Sequence, residues 1–308
     1  MEEGQKRWFS GIQSIYENQY KKLLIIPFAL LAIALILIGI QFASTGQIME
    51  RDVSLKGGVT VTIPTQQQIG LSELENALAA KFPGNDIGTK SISQFGSQSG
   101  IIIEADIEES QAQDLISGIG SFLGKELGPQ DYAIEIVGSS LGSSFFKDLS
   151  IALLIAFGFM ALVVFLYFRT LVPSAAVILA AFTDIIVTLA IVNIIGMKIS
   201  AAGIAAFLML IGYSVDTDIL LSTRVLKRRE ESVMKRIYGA ISTGMVMTST
   251  TLIAMLIALF LSQSDIIRQI MTILIIGLLV DMITTWIQNV GLLRLYLEKK
   301  EKKAMQNV

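Results

Sequence analysis

The 308-residue sequence contains no cysteine and no histidine. Without cysteine, disulfides, thiolate metal sites and cysteine nucleophiles are excluded. Without histidine, the chain lacks the side chain that most often carries protons near neutral pH and binds zinc. Any proton chemistry must therefore use carboxylates, with arginine, lysine or tyrosine as partners. We expect no metal, no cofactor and no covalent catalysis, and so no enzyme.

Charge is also scarce. Only 16% of the residues are charged, against about 25% in a typical soluble protein. Hydrophobic residues make up 53% of the chain and the mean hydropathy is +0.64. This composition is typical of a membrane protein, so we expect the lipid bilayer as its surroundings. The net charge of -2 offers no basic footprint for nucleic acid.

Six apolar runs are long enough to cross a bilayer, which takes about 20 helical residues. They are Leu23–Phe42, Ser150–Phe168, Val172–Ile195, Ile199–Leu221, Ala240–Leu261 and Met271–Leu293. The first run stands apart from the other five, which predicts a polytopic α-helical membrane protein with a 1+5 arrangement. The predicted divisions are a segment 1–22, a first span 23–42, a separate domain 43–146, a five-helix bundle 147–295 and a tail 296–308.

Lysine and arginine are distributed unevenly among the loops. The short loops on one side hold only Lys198 and Arg268, whereas the termini and the loop after the fourth run are rich in both residue types. Positive charge in short loops marks the cytoplasmic side. Both termini are therefore predicted to be cytoplasmic in the cell membrane, and region 43–146 extracytoplasmic.

Region 43–146 shows alternating strand and helix patterns. The predicted strands are Val53–Pro64, a hairpin pair around a Gly96–Gly100 turn, and Asp131–Ser139; the predicted helices are Leu71–Phe82 and Ser110–Gly124. The order β-α-β-β-α-β is that of a ferredoxin-like α+β domain.

Gly57 and Gly58 fall within the first of these strands. Paired glycines in a strand indicate a bulge or a close approach of another backbone segment. No Gly-Lys-Ser/Thr sequence follows them, so they are not a phosphate-binding loop.

Four aspartates interrupt the apolar runs: Asp184, Asp216, Asp218 and Asp281. A carboxylate at the middle of a membrane costs roughly 2.5–3.5 kcal/mol on insertion scales. Acids on three different spans therefore indicate a polar path or shared protons. Two alternatives remain: the acids are structural hydrogen-bond partners, or the fourth span ends near Val215 and leaves two of them among headgroups. Asp216 and Asp218 lie about 200° apart on a helix and cannot share one face.

Several segments resemble the SecD/SecF family of the resistance-nodulation-division superfamily, and within it the archaeal SecF type. They are "LKGGVTVTI", "VGSSLGSSFFKDLSIALL", "AAFTDIIVTLAI", "TSTTLIAM" and, most specifically, "IGYSVDTDILLSTRVLKRRE" with Gly212 and Tyr213. The resemblance implies an auxiliary subunit of the Sec translocase. Such a subunit assists polypeptide export with SecD and the channel subunits, driven by protons moving through the intramembrane acids.

The fourth span departs from the bacterial pattern, which usually reads Gly-Tyr-Ser-Val-Asn-Asp-Thr. Here Asp216 occupies the position of the SecD-type aspartate, and Thr243 stands near the position of a frequent bacterial arginine. The resemblance thus makes Asp216 the first candidate for titration and Asp218 the second, with Asp184 and Asp281 in support. Rival functions are a proton-driven exporter of small molecules and a passive scaffold of the translocon.

The small residues of Ser200–Phe207 are predicted to let a similar half from SecD approach this chain closely.

Overall fold

The computed structural model describes residues 16–94, 97–227, 231–262 and 264–306. A short helix, Tyr20–Leu23, leads into α1 (Ile25–Thr45), and a second short helix, Val53–Lys56, precedes the sheet. The sheet region that follows consists of β1 (Gly58–Pro64), α2 (Leu71–Lys81), β2 (Ile87–Gln94), β3 (Ser97–Ala105), a 3-10 turn (Glu109–Gln111), α3 (Ala112–Leu123) and β4 (Ala133–Val137). The remaining helices are α4 (Ser139–Phe168), α5 (Leu171–Ile194), α6 (Ala201–Lys227), α7 (Val233–Leu261), α8 (Asp265–Ile283), a π-helical segment (Thr284–Asn289) and α9 (Val290–Gln306).

The four strands form one antiparallel sheet in the order β2-β3-β1-β4. Val61 lies opposite Ile103 on one side and Ile134 on the other. Because alternate residues of a strand share a face, Val59, Val61 and Ile63 all point to the same side. That side packs against Leu74 and Leu78 of α2 and against α3, forming a buried apolar core.

The first strand is shorter than predicted. Val53–Lys56 forms a helical turn, because the Asp52 side chain accepts a hydrogen bond of 2.9 Å from the backbone N–H of Ser54. Gly57 follows with a φ of 90°, and a Cβ there would overlap the Ser139 backbone. The paired glycines therefore stand at the entrance of β1 and mark the predicted close backbone approach.

The β2–β3 hairpin is tighter than predicted. Gly100 lies inside β3, opposite Ile92 of β2, instead of in the turn. Phe95 and Gly96, which connect the strands, lie outside the described residues.

Within the described residues, six helical segments are long and apolar enough to cross a membrane: Tyr20–Thr45, Ser139–Phe168, Leu171–Ile194, Ala201–Lys227, Val233–Leu261 and Asp265–Gln306. One precedes the sheet and five follow it. The second begins at Ser139, before the predicted Ser150, and the last continues beyond Leu293. Both helices extend past their apolar runs, because hydropathy locates the lipid-compatible part of a helix and not its ends. Most of the N-terminal segment 1–22 lies outside the described residues.

The sheet is joined to the bundle at the loop between α5 and α6. The N–H of Ile199 donates to the carbonyl of Glu50 at 2.7 Å, and the N–H of Asp52 donates back to the carbonyl of Ile199 at 3.0 Å. Asp86 of the sheet region pairs with Lys198 at 2.7 Å and with Lys56 at 3.0 Å. Backbone and charged contacts thus hold the two regions together at one edge.

Candidate functional site

Three of the four predicted aspartates meet inside the bundle. Asp184 comes from α5, Asp218 from α6 and Asp281 from α8, and their exposed fractions are 0%, 0% and 1%. Buried carboxyls need hydrogen-bond donors to offset the loss of water. The donors here are hydroxyls and an amide. No lysine or arginine in the described part of the chain forms an ion pair with these acids.

Asp184 is held by two hydroxyl groups. Ser214 Oγ of α6 donates to its Oδ2 at 2.5 Å, and Thr284 Oγ1 of the π-helical segment donates to its Oδ1 at 2.5 Å. Both carboxyl oxygens are therefore occupied, and one residue links three spans.

Asp218 and Asp281 share the hydroxyl of Thr285. Thr285 Oγ1 lies 3.0 Å from Oδ1 of Asp218 and 3.0 Å from Oδ1 of Asp281. Asn289 Nδ2 also donates to Oδ1 of Asp218 at 2.7 Å. The Oδ2 atoms of both acids are buried and accept no hydrogen bond from the described residues.

The π-helical segment supplies most of these donors. Thr284, Thr285, Gln288 and Asn289 are all buried, with exposed fractions of at most 1%. Gln288 continues the group towards α5 by donating to Thr183 Oγ1 at 3.3 Å. Single π-helical turns occur often at functional sites. These four residues were not predicted from the sequence. The available signal was their i, i+1, i+4, i+5 spacing, which puts them on one helix face.

The two aspartates of α6 point in opposite directions, as their separation of about 200° predicts. Asp218 is buried, whereas Asp216 is exposed and lies apart from the other three acids. The helix continues to Lys227.

Asp216 belongs to an exposed face of α6 that also carries Met209, Gly212 and Tyr213. Tyr213 is 41% exposed. Within Ser200–Phe207, the segment predicted to lie against SecD, Ala206 and Phe207 are buried in the core of this chain's bundle, whereas Ala201, Ala202 and Ala205 are partly exposed. The contact with SecD through this segment stays a prediction.

An all-helical membrane bundle with a buried cluster of acids, attached to a small antiparallel sheet, defines a class of multi-pass membrane protein with an ionisable interior. Residues 123–299 match the family described as "Protein export membrane protein SecD/SecF, C-terminal". Proteins named protein-export membrane protein SecF are similar along nearly the whole chain. The one from Methanocaldococcus jannaschii is 37% identical over 93% of this chain and 99% of its own length, and the one from Pyrococcus furiosus is 37% identical over 95% and 96%.

The chain therefore belongs to the SecF family of protein-export membrane proteins and is a membrane component of the Sec pathway. Among solved structures, SecDF from Thermus thermophilus, described as a translocon-associated membrane protein, matches with a TM-score of 0.71 at 21% identity. A super-membrane-facing form of SecDF matches with a TM-score of 0.60 at 20% identity. This likeness shows the shared fold. The match covers 92% of this chain but only 38% of the Thermus chain, so the SecDF chain is much the longer.

Proposed function

We propose that the chain assists Sec-dependent export as one half of a pair with a SecD-type subunit, and that protons move through its intramembrane acids. The observation that carries the proposal is the convergence of Asp184, Asp218 and Asp281 from three spans. Each such acid is costly in a membrane. A bundle that required only packing would gain as much or more from apolar side chains at these positions.

Thr285 is the proposed relay between Asp218 and Asp281. A hydroxyl carries a single proton, so Thr285 donates to only one of the two carboxyls at a time. The contact between Thr285 and the second carboxyl is a hydrogen bond only when that carboxyl carries a proton and donates to the hydroxyl oxygen. When that carboxyl proton moves to the hydroxyl oxygen and the hydroxyl proton moves to the other carboxylate, a proton passes between α6 and α8 without displacement of either helix.

The exposed face of α6 is the proposed contact with the SecD-type partner. An exposed carboxylate on an apolar span is costly in lipid, and Asp216 stands beside Tyr213 on that face. A similar half placed against this face would remove Asp216 from lipid. We further propose that Asp216 takes part in the proton path at this contact.

The sheet region is the proposed extracytoplasmic part. Its element order and its strand order β2-β3-β1-β4 support a ferredoxin-like domain in a 1+5 arrangement. The uneven distribution of lysine and arginine supports cytoplasmic termini. In this orientation the domain contacts the emerging polypeptide next to the channel subunits. The Asp86–Lys198 pair and the Ile199 backbone contacts would transmit changes in the bundle to it.

The test measures the export rate in vesicles that contain the channel, the SecD-type partner and either wild type or Asp218→Asn, with and without a proton gradient. The substitution keeps the size of the side chain and removes its titration, so the gradient should no longer accelerate export. Asp216→Asn is a second test variant. Asp148→Asn, which changes an exposed acid of α4 outside the cluster, serves as the control and should behave as wild type.

A passive scaffold predicts a different result. In that case wild-type stimulation would not depend on the gradient, and Asp218→Asn would equal wild type. A small-molecule exporter would instead expel a dye in response to the gradient and leave the export rate unchanged.

A further inference from the structure

A cavity of about 550 Å³ opens at the end of the bundle furthest from the sheet. It lies between the C-terminal ends of α4 and α6, the start of α7 and one face of α9. Phe168, Val225 and Leu297 give it an apolar wall, while Lys227, Arg236 and Lys300 place positive charge around it. The cavity thus combines an apolar interior with a cationic rim.

The cations are held in place by neighbouring groups. Lys227 Nζ lies 3.9 Å from the centre of the Tyr167 ring, and Arg236 donates from Nη1 to the carbonyl of Val225. Neither Lys227 nor Lys300 forms an ion pair in the described part of the chain. Glu301 is the one acid among the described lining residues, so the described lining carries an excess of positive charge.

Exposed apolar residues lie close in sequence to the lining residues Phe168 and Thr170. Leu166 at the end of α4 is 59% exposed, and Leu171 at the start of α5 is 76% exposed. These leucines belong to candidate membrane spans. The cavity therefore lies where the apolar surface of the spans gives way to charged helix ends, which is the level of lipid headgroups.

We propose that this cavity binds the phosphate group of an anionic phospholipid, whose hydrocarbon chains lie along the exposed apolar surface of the spans that begins at Leu171, next to Thr170. Basic side chains between membrane helices recognise such headgroups by charge, and Lys227 and Lys300 supply that charge here. A free anion or an acidic peptide would use the rim but would leave the adjoining apolar surface uncovered. The inference does not depend on the proton path.

The test titrates a fluorescent phosphatidylglycerol into the purified full-length chain in detergent micelles, with phosphatidylcholine as the zwitterionic comparison. The double variant Lys227→Gln/Lys300→Gln should bind phosphatidylglycerol about 25-fold more weakly, about fivefold for each lysine. The control Lys299→Gln/Lys302→Gln removes the same charge from positions of α9 outside the cavity lining and should stay close to wild type.

Ala304→Trp tests the cavity without changing charge, because the indole ring would fill the space that Ala304 lines. It should weaken phosphatidylglycerol binding, whereas Ala304→Ser should not. Equal losses of phosphatidylglycerol binding in Lys227→Gln/Lys300→Gln and in Lys299→Gln/Lys302→Gln would mean that binding depends on non-specific surface charge, and would overturn the site. Unchanged binding in Lys227→Gln/Lys300→Gln, or complete displacement of the lipid by excess inorganic phosphate, would also overturn it.

Discussion

Asn289 donates a hydrogen bond of 2.7 Å to Asp218, and neither side chain is exposed to solvent. Asn289 is the last residue of the π-helical segment, and Asp218 lies on α6. Two spans that are far apart in the sequence are therefore joined at a polar contact inside an apolar bundle. Such a buried contact contributes more to stability than one at a surface, because no water replaces a lost partner.

Asn289→Ala removes a donor from a buried acid, so we expect the free energy of unfolding to fall by about 1–3 kcal/mol. The measurement is thermal or denaturant unfolding in detergent. In an Asp218→Ala background, the same substitution should cost less, since the acceptor is already absent. Strictly additive losses would contradict the contact.

The ion pairs of Asp86 predict a pH dependence. Burial favours a higher pKa for the Asp86 carboxyl, but hydrogen bonds from Lys198 and Lys56 outweigh it and hold the pKa below the usual 3.8. A lowered folded-state pKa stabilises the protein above the unfolded-state pKa, and that stabilisation disappears as the pH falls through the folded-state value.

Wild type should therefore melt at a higher temperature than Asp86→Asn at neutral pH, and the gap should close below about pH 4. The gap should be small, because Asp86 is 42% exposed and water screens the pairs. Asp114→Asn, an exposed acid of α3, is the control. A gap that persists unchanged into acid would show that Asp86 acts through something other than its charge.

Gly57 and Gly84 provide a matched pair for testing the close approach to α4. Their φ angles are 90° and 92°, so an alanine is strained at either position. Only at Gly57 would the new Cβ overlap Ser139. We expect Gly57→Ala to be less stable than Gly84→Ala by about 1–3 kcal/mol, a typical penalty for overpacking. Equal melting temperatures would argue against the packing.

The predicted orientation can be tested by labelling, because the chain has no cysteine of its own. Gln68→Cys and Gly84→Cys place thiols at exposed positions of the sheet region. Both should react with a membrane-impermeant maleimide on intact cells. Lys300→Cys should react only after the membrane is opened, and labelling of it from outside would reverse the topology. Wild type provides the unlabelled background.

Local pattern alone was sufficient to predict most elements of this protein. The apolar runs located six candidate spans, and alternation located the strands, because burial imposes a period of two on strands and long continuous runs on spans. The helical turn at Val53–Lys56 and the early start of α4 at Ser139 were missed. The turn depends on the hydrogen bond between Asp52 and Ser54, and α4 begins where the Ser139 backbone lies against Gly57, a residue far away in sequence.

In the site too, some features follow from the sequence and others only from the tertiary structure. Asp184, Asp218 and Asp281 could be selected as candidates from the sequence, because a carboxyl within an apolar run is energetically costly whichever way its helix face points. Helix geometry also determined that Asp216 and Asp218 point in opposite directions. Only the tertiary structure decided that Asp218 faces inward, towards Thr285 and Asn289. The rotation of a helix about its axis is decided by all the neighbours that pack against it, and no local stretch of sequence contains those neighbours.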